Sequence, residues 1–371
     1  MMIPVNQPLI SKNALRYVTD CIKTGWISSA GSYLKEFEKN FAEFLGIKHA
    51  ITTTSGTTAL HLALLALGIK KGDEVILPSH TMMASAAAIV YTGATPVLVD
   101  VERDTWNMDV KLVEKKITKK TKVIMPVHIY GHPVDMDPIM SLARKYHLYI
   151  VEDAAESTGA EYKGRLTGTI GDIGCFSFYA NKIITTGEGG MLVTNNDKIA
   201  NHARILKDLA HSPKKRFLHE EIGYNFRMTN MQAALGVAQL EEVKKYIQKK
   251  QWMAALYKER LSKIEGLTLP VEHSWAKNVY WMYGILVEKE FGTTRNEFMQ
   301  KLLGKGIDTR TFFFPMHKQP ALIKLGLFKG EKYPISDEIS RKGLYLPSGL
   351  AITEKQIETV CKAIKDIKNN V

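Results

Sequence analysis

Leu148-Tyr149-Ile150-Val151-Glu152-Asp153 decides the fold, together with the later run Phe176-Ser177-Phe178-Tyr179-Ala180-Asn181-Lys182. The first is a short apolar strand that ends on two carboxylates. The second is apolar until it ends on a lysine. Outward from these, further strand-like runs lie at Ala50–Thr53, Glu74–Leu77, Thr95–Val99, Val123–Val127, Ile173–Ser177 and Met191–Thr194. Helical patterns separate them, as in Leu60, Leu64 and Leu67, closed by Gly68. Strand–helix alternation of this kind predicts an α/β fold with a mostly parallel central sheet covered by helices. Ligands of such sheets gather beyond the carboxyl ends of the strands.

That edge is where the chemistry sits. An aspartate at the end of a buried strand, Asp153, can hold a proton on a pyridine nitrogen, although an exposed turn residue is the commoner fate of such an acid. A lysine between Phe178-Tyr179 and Ile183-Ile184 can lose its proton in apolar surroundings and form a Schiff base, whereas most lysines are simply solvated. Together Asp153 and Lys182 are the minimum equipment for pyridoxal 5'-phosphate (PLP). Thr185-Thr186-Gly187-Glu188-Gly189-Gly190 follows at once, and its glycines permit close backbone approach. Ser55-Gly56-Thr57-Thr58 follows a strand and opens a helix, which suits either a phosphate dianion or an ordinary helix cap. Paired with Ser177, the phosphate reading gains weight.

Composition sets the remaining bounds. The chain has 371 residues, 45% hydrophobic and 24% charged, as expected for a globular protein with one large and one smaller domain. No run approaches the roughly 20 apolar residues of a membrane span. The start lacks the pattern of a secretory signal, so a cytoplasmic location is expected. Three scattered cysteines argue against a disulfide framework, and no metal-ligand spacing occurs. The net charge of +12 is spread over lysine pairs such as Lys115-Lys116 and Lys249-Lys250, without a nucleic-acid-binding motif. Neither nucleic acid nor membrane is an expected partner.

The two expected domains are residues 1–245, a large PLP-binding domain that includes the N-terminal segment, and residues 246–371, a small α+β domain. Thr229 and Gln232 have capping-box spacing and predict a long helix running through Val243 and Ile247. Beyond it, the pattern predicts an aromatic strand at Val279–Val287, a helix near Asn296–Leu303, a strand near Thr309–Phe313 and a final helix at Glu354–Asn369.

Several ordered motifs add to this reading: Ser55-Gly56-Thr57, Pro78-Ser79-His80-Thr81, His128-Ile129-Tyr130-Gly131-His132, Glu152-Asp153-Ala154-Ala155-Glu156, Asn181-Lys182 and Gly223-Tyr224-Asn225-Phe226-Arg227-Met228. Through them the chain resembles the DegT family of sugar-nucleotide aminotransferases, fold-type I PLP enzymes, over essentially its whole length. The resemblance implies that Lys182 is the Schiff-base lysine and Asp153 the partner of the ring nitrogen. It implies that Gly56, Thr57 and Ser177 hold the cofactor phosphate and that Glu156 lies beside the ring hydroxyl. Asn225 is expected to reach the phosphate of a neighbouring subunit, which implies a homodimer with shared active sites. Trp26, Tyr130, Arg227, Arg310 and His317 fall in stretches that resemble substrate-contacting loops. One position departs from the family: an aromatic residue usually stacks on the ring where this chain has Met82, with Met83 a second candidate.

Thr24–Ser29, Gly306–His317 and Leu346-Pro347-Ser348 resemble most the members that act on a GDP-linked 4-keto-6-deoxy-D-mannose. The implied reaction moves an amino group from L-glutamate to C4 of that sugar. UDP- or dTDP-linked keto sugars remain alternatives. A sugar 3-dehydratase of this fold would carry histidine at Lys182, and a non-catalytic regulator would have lost Lys182 or Asp153.

Overall fold

A computed structural model of the chain describes residues 2–212, 214–215 and 217–371. Met1 lies outside them. The strands are β1 (His49–Thr53), β2 (Glu74–Pro78), β3 (Thr95–Val99), β4 (Thr121–Ile124), β5 (Tyr149–Asp153), β6 (Glu161–Tyr162), β7 (Arg165–Leu166), β8 (Ile173–Ser177), β9 (Gly190–Thr194), β10 (Leu267–Thr268), β11 (Ala276–Lys277), β12 (Tyr283–Val287), β13 (Arg310–Thr311) and β14 (Gly343–Leu346). The helices are α1 (Ala14–Thr24), α2 (Ser32–Leu45), α3 (Gly56–Ala66), α4 (Met83–Tyr91), α5 (Val110–Val113), α6 (Met136–Tyr146), α7 (Asp197–Lys207), α8 (Asn230–Leu240), α9 (Val243–Leu261), α10 (Arg295–Gly304), α11 (Pro320–Lys324), α12 (Pro334–Lys342) and α13 (Glu354–Lys368).

Among the described residues, seven strands form the main sheet in the order β1-β9-β8-β5-β4-β2-β3. The pairs from β8 through β5, β4 and β2 to β3 are parallel, while β9 runs antiparallel to both β8 and β1. The carboxyl ends of β1, β2, β4, β5 and β8 therefore share one edge, and β9 begins there. Central strands such as β8 are buried along their whole length, which explains their unbroken apolar character. One face packs on α3, α4 and α7 through residues such as Leu60, Leu64 and Ala203. The other packs on α2 and α8 through Phe37, Phe41, Phe176, Phe178 and Val237.

The four-stranded sheet β10-β12-β14-β13 packs on α9, α10 and α13 around Tyr257, Tyr283, Phe298 and Ile364. α13 buries Ile357, Val360, Cys361, Ile364 and Ile367, the single stripe of an amphipathic helix. Ile3 joins this second core: its amide donates to Gly306 O at 2.8 Å, and its carbonyl accepts from the Asp308 amide at 2.9 Å. The expected boundary at 245/246 falls inside α9. The start of that helix (Val243, Tyr246) packs on the main sheet's core, and its later turns (Met253, Tyr257, Leu261) pack on the second.

Three local expectations differ from what is observed. The helix capped by Thr229 stops at Leu240 and restarts at Val243. Its break coincides with Glu241, whose carboxylate is held by Asn13 and Tyr17 at 2.7 Å each. β4 ends at Ile124, and only Val127 bridges onward, to Asp153. The aromatic strand begins at Tyr283 because Tyr280 takes a left-handed conformation (φ 48°) that turns the chain. Among the described residues no helix is long and apolar enough to cross a membrane.

Candidate active site

A cavity of about 410 Å³ opens at the shared carboxyl edge of the main sheet. Gly56, Thr57, Met82, Asp153, Glu156, Ser177 and Lys182 all line it.

Asp153 ends β5 with its side chain buried. Its backbone is pinned on both sides: the amide donates to Pro126 O at 2.9 Å and the carbonyl accepts from the His128 amide at 3.1 Å. The carboxylate accepts from the Ser85 hydroxyl at 2.7 Å and from the Ala155 amide at 3.2 Å. Ser85 spends its proton there, which leaves Thr81 to donate to Ser85 across 2.9 Å. Burial raises the Asp153 pKa, and these donors together with Lys182 pull it back only in part. Such a carboxylate gains by receiving a cationic N–H. The neighbouring Glu152 is saturated instead, accepting from His128 and from the amides of Gly168, Ile170 and Gly171 at 2.6–2.9 Å. It fixes the turn behind β5 and does not face the cavity.

Lys182 hangs from the turn that follows β8, where its amide donates to Tyr179 O at 2.9 Å. Its Nζ lies 3.8 Å from Glu156 Oε1 and 3.5 Å from the centroid of the Trp281 ring. Burial lowers the Lys182 pKa, against the attraction of Glu156 and Asp153. Burial also raises that of Glu156, against the attraction of Lys182. Burial thus shifts Lys182 towards the uncharged amine, the form that attacks carbonyl carbon. Glu156 is aimed by the Tyr130 amide, which donates to its Oε2 at 2.8 Å.

The third wall is the start of α3. Ser55 and Thr58 form the reciprocal capping box, which uses the Thr58 amide. The amides of Gly56 and Thr57, ahead of any intrahelical acceptor, are left to a ligand. A Cβ on Gly56 would sit 2.7 Å from Ser177 Cβ, so only glycine lets this helix end close on β8. Gly190 is as tight, with Ser55 O 2.3 Å from where its Cβ would be.

Met82 is 52% exposed and lines the cavity, whereas Met83 packs against the core beneath. The other expected residues lie outside the cavity lining. Tyr130 is buried behind the wall in a left-handed conformation (φ 54°), with its hydroxyl 2.8 Å from His80 Nε2. His317 is buried, with Nδ1 2.8 Å from Ser79 Oγ at the end of β2. Trp26 is exposed, and Arg310 pairs with Asp308 on the second sheet. Asn225 is exposed and accepts from Arg227 Nε at 2.9 Å, while Arg227 also pairs with Asp208 at 2.8 Å. Sequence reasoning missed Trp281, Phe313 and Ser85. Ser85 had a signal, one helical turn beyond Thr81; Trp281 and Phe313 had none beyond their aromatic neighbours.

The profile of the DegT/DnrJ/EryC1/StrS aminotransferase family matches residues 8–365. The GDP-perosamine synthase of Caulobacter vibrioides is 43% identical over 366 residues, covering 98% of each chain. Among solved structures, S. venezuelae DesV superposes with a TM-score of 0.90 at 36% identity, over 97% of this chain and 95% of that one. Spr1654 of Streptococcus pneumoniae in its PLP form gives 0.93 at 27% identity, over 100% and 99%.

PLP is the cofactor these findings indicate, and the cavity fits it. A buried carboxylate, a lysine amine whose pKa burial lowers and a glycine-opened helix start stand at three corners of one space.

Proposed function

This chain belongs to the DegT/DnrJ/EryC1/StrS aminotransferase family, and from that premise we propose its reaction and the residues that perform it. It is a PLP-dependent sugar-nucleotide aminotransferase that moves the amino group of L-glutamate to the C4 ketone of a nucleotide-linked 4-keto-6-deoxyhexose. The sugar is GDP-4-keto-6-deoxy-D-mannose and the product GDP-perosamine. The observation that carries the reading is Lys182 Nζ, nearly buried, 3.8 Å from Glu156 in a cavity that also holds Asp153.

Bound PLP supplies an aldehyde that condenses with amines and a ring that withdraws electrons from the carbon beside the captured nitrogen. Asp153 holds the proton on the ring nitrogen and so keeps the ring electron-poor. The Lys182 amine would serve as the base that takes the proton from the glutamate α-carbon and as the acid that gives it back, a task worth about 10²–10⁴-fold. Glu156 bears on the ring hydroxyl. The Gly56 and Thr57 amides and the Ser177 hydroxyl would hold the phosphate, and the Met82 thioether, which lines the same cavity, would offer the ring a contact worth about 0.3–1.5 kcal/mol.

Asn225 is exposed and does not line its own cavity, in keeping with a homodimer in which it serves its partner's site, while Arg227 lies on a segment assigned to the substrate. Trp26, Arg310 and His317 lie on segments assigned here to the nucleotide sugar. The identity to the Caulobacter enzyme supports the GDP-linked sugar over UDP- and dTDP-linked ones. The test incubates the PLP-loaded protein and glutamate with GDP-, UDP- and dTDP-linked 4-keto-6-deoxy sugars, scored by mass spectrometry. A 4-amino product from the GDP-mannose-derived ketone is expected. Turnover of another sugar alone would overturn the substrate assignment, and turnover of none would overturn the reaction.

A further inference from the structure

Lys250 projects from α9, the helix shared by both cores, and only 2% of it is exposed. Burial alone pushes its pKa down to about 7, and no acid offsets that. Its Nζ instead donates to two carbonyls: Trp281 O at 2.7 Å, and Ser348 O at closer range still. A neutral amine retains two protons for these two acceptors, so the clamp survives deprotonation.

What the clamp holds is a residue whose ring lies against the Lys182 amine. Trp281 lies between the left-handed Tyr280 and β12, and a Cβ on Gly131 would sit 2.9 Å from its amide. Its indole Nε1 donates to Asn181 O at 2.9 Å, next to Lys182, and its ring lies 3.5 Å from Lys182 Nζ. A chain of direct contacts thus runs from α9 through the Trp281 backbone and ring to Lys182.

We infer that Lys250 is a positioning residue, which fixes Trp281 over the Lys182 side chain and so keeps water from the amine. The inference rests on the proposed role of Lys182. The ring covers Nζ at 3.5 Å, and burial is the largest cause of the lowered Lys182 pKa, so displacing the ring should admit water that solvates the charged amine.

The test is competitive acetylation of the unloaded protein across pH, with labelling at Lys182 followed by mass spectrometry. Lys250→Met, of similar length and shape, is expected to raise the labelling midpoint of Lys182 by about one pH unit, tenfold less neutral amine at a fixed pH. Trp281→Ala should shift it the same way, and Lys250→Met should add nothing in that background. A folded Lys250→Met protein with the wild-type midpoint would overturn the inference, as would an equal further shift on top of Trp281→Ala. If Lys250→Met does not fold, Trp281→Ala decides alone: an unchanged midpoint there overturns it. Borohydride trapping of the PLP-loaded protein reads the role of Lys182 separately. Cofactor found on another lysine would overturn that role and leave the labelling result standing.

Discussion

At the scale of single residues, the site pairs groups whose surroundings push them away from their ordinary charge states. Asp153 is buried with two donors, so its negative charge is costly until a cationic N–H arrives. Asp153→Asn keeps the shape and removes the charge, and kcat should fall by about 10²–10³-fold, as measured with saturating PLP and glutamate. Lys250 gives a second prediction, in stability. Its pKa is about 7 in the folded protein and 10.5 ordinarily, so between those values the unfolded chain binds the extra proton. Stability from this residue therefore rises with pH across that window, by up to about 1.4 kcal/mol per unit. Denaturant unfolding at pH 7.5 and 9 should show the wild type gaining about 1–2 kcal/mol relative to Lys250→Met. A parallel response of the two proteins would contradict the assignment. Asp153 and Lys182 were legible in sequence because each stands at the end of an apolar run. Trp281 was not: its place depends on the turn at Tyr280 and on Lys250, 31 residues away.

Elements deliver these residues, and they were legible to the extent that burial is symmetric. β8 has the bounds its apolar run predicts, since a strand covered on both faces has no polar side to blur its ends. The helix expected to run on from Thr229 is two, and the break falls at Glu241, whose carboxylate meets Asn13 and Tyr17, contacts from far upstream that no local pattern contains. The start of α3 carries the reciprocal cap of Ser55 and Thr58, and the same turn is the proposed phosphate site. Gly56→Ala would press a methyl against Ser177, and overpacking of this kind costs about 1–3 kcal/mol. The predicted outcome is a lower melting temperature and weaker PLP binding, read by calorimetry and cofactor titration. Normal affinity in the variant would show that the close approach of α3 to β8 is not what holds the phosphate.

At the scale of the whole molecule, the proposed shared sites take two chains. If Asn225 serves the partner's cavity, mixing Lys182→Ala and Asn225→Ala proteins under exchange creates dimers with one intact site. Random reassortment should restore about a quarter of wild-type activity. No recovery from subunits shown to have exchanged would contradict shared sites. PLP should also stabilise the assembly by about 2.7 kcal/mol at a hundredfold excess over its Kd, seen as a higher melting temperature. The fold followed from strand–helix alternation alone, but the surroundings of Lys182 did not, because Trp281 and Phe313 come from beyond α9. Lysines crowd this chain, and one of them, Lys182, carries the proposed chemistry. Borohydride reduction of the PLP-loaded protein, followed by peptide mapping over the full length, tests that most directly. The cofactor is predicted on Lys182; recovery of the label on any other lysine would contradict the account.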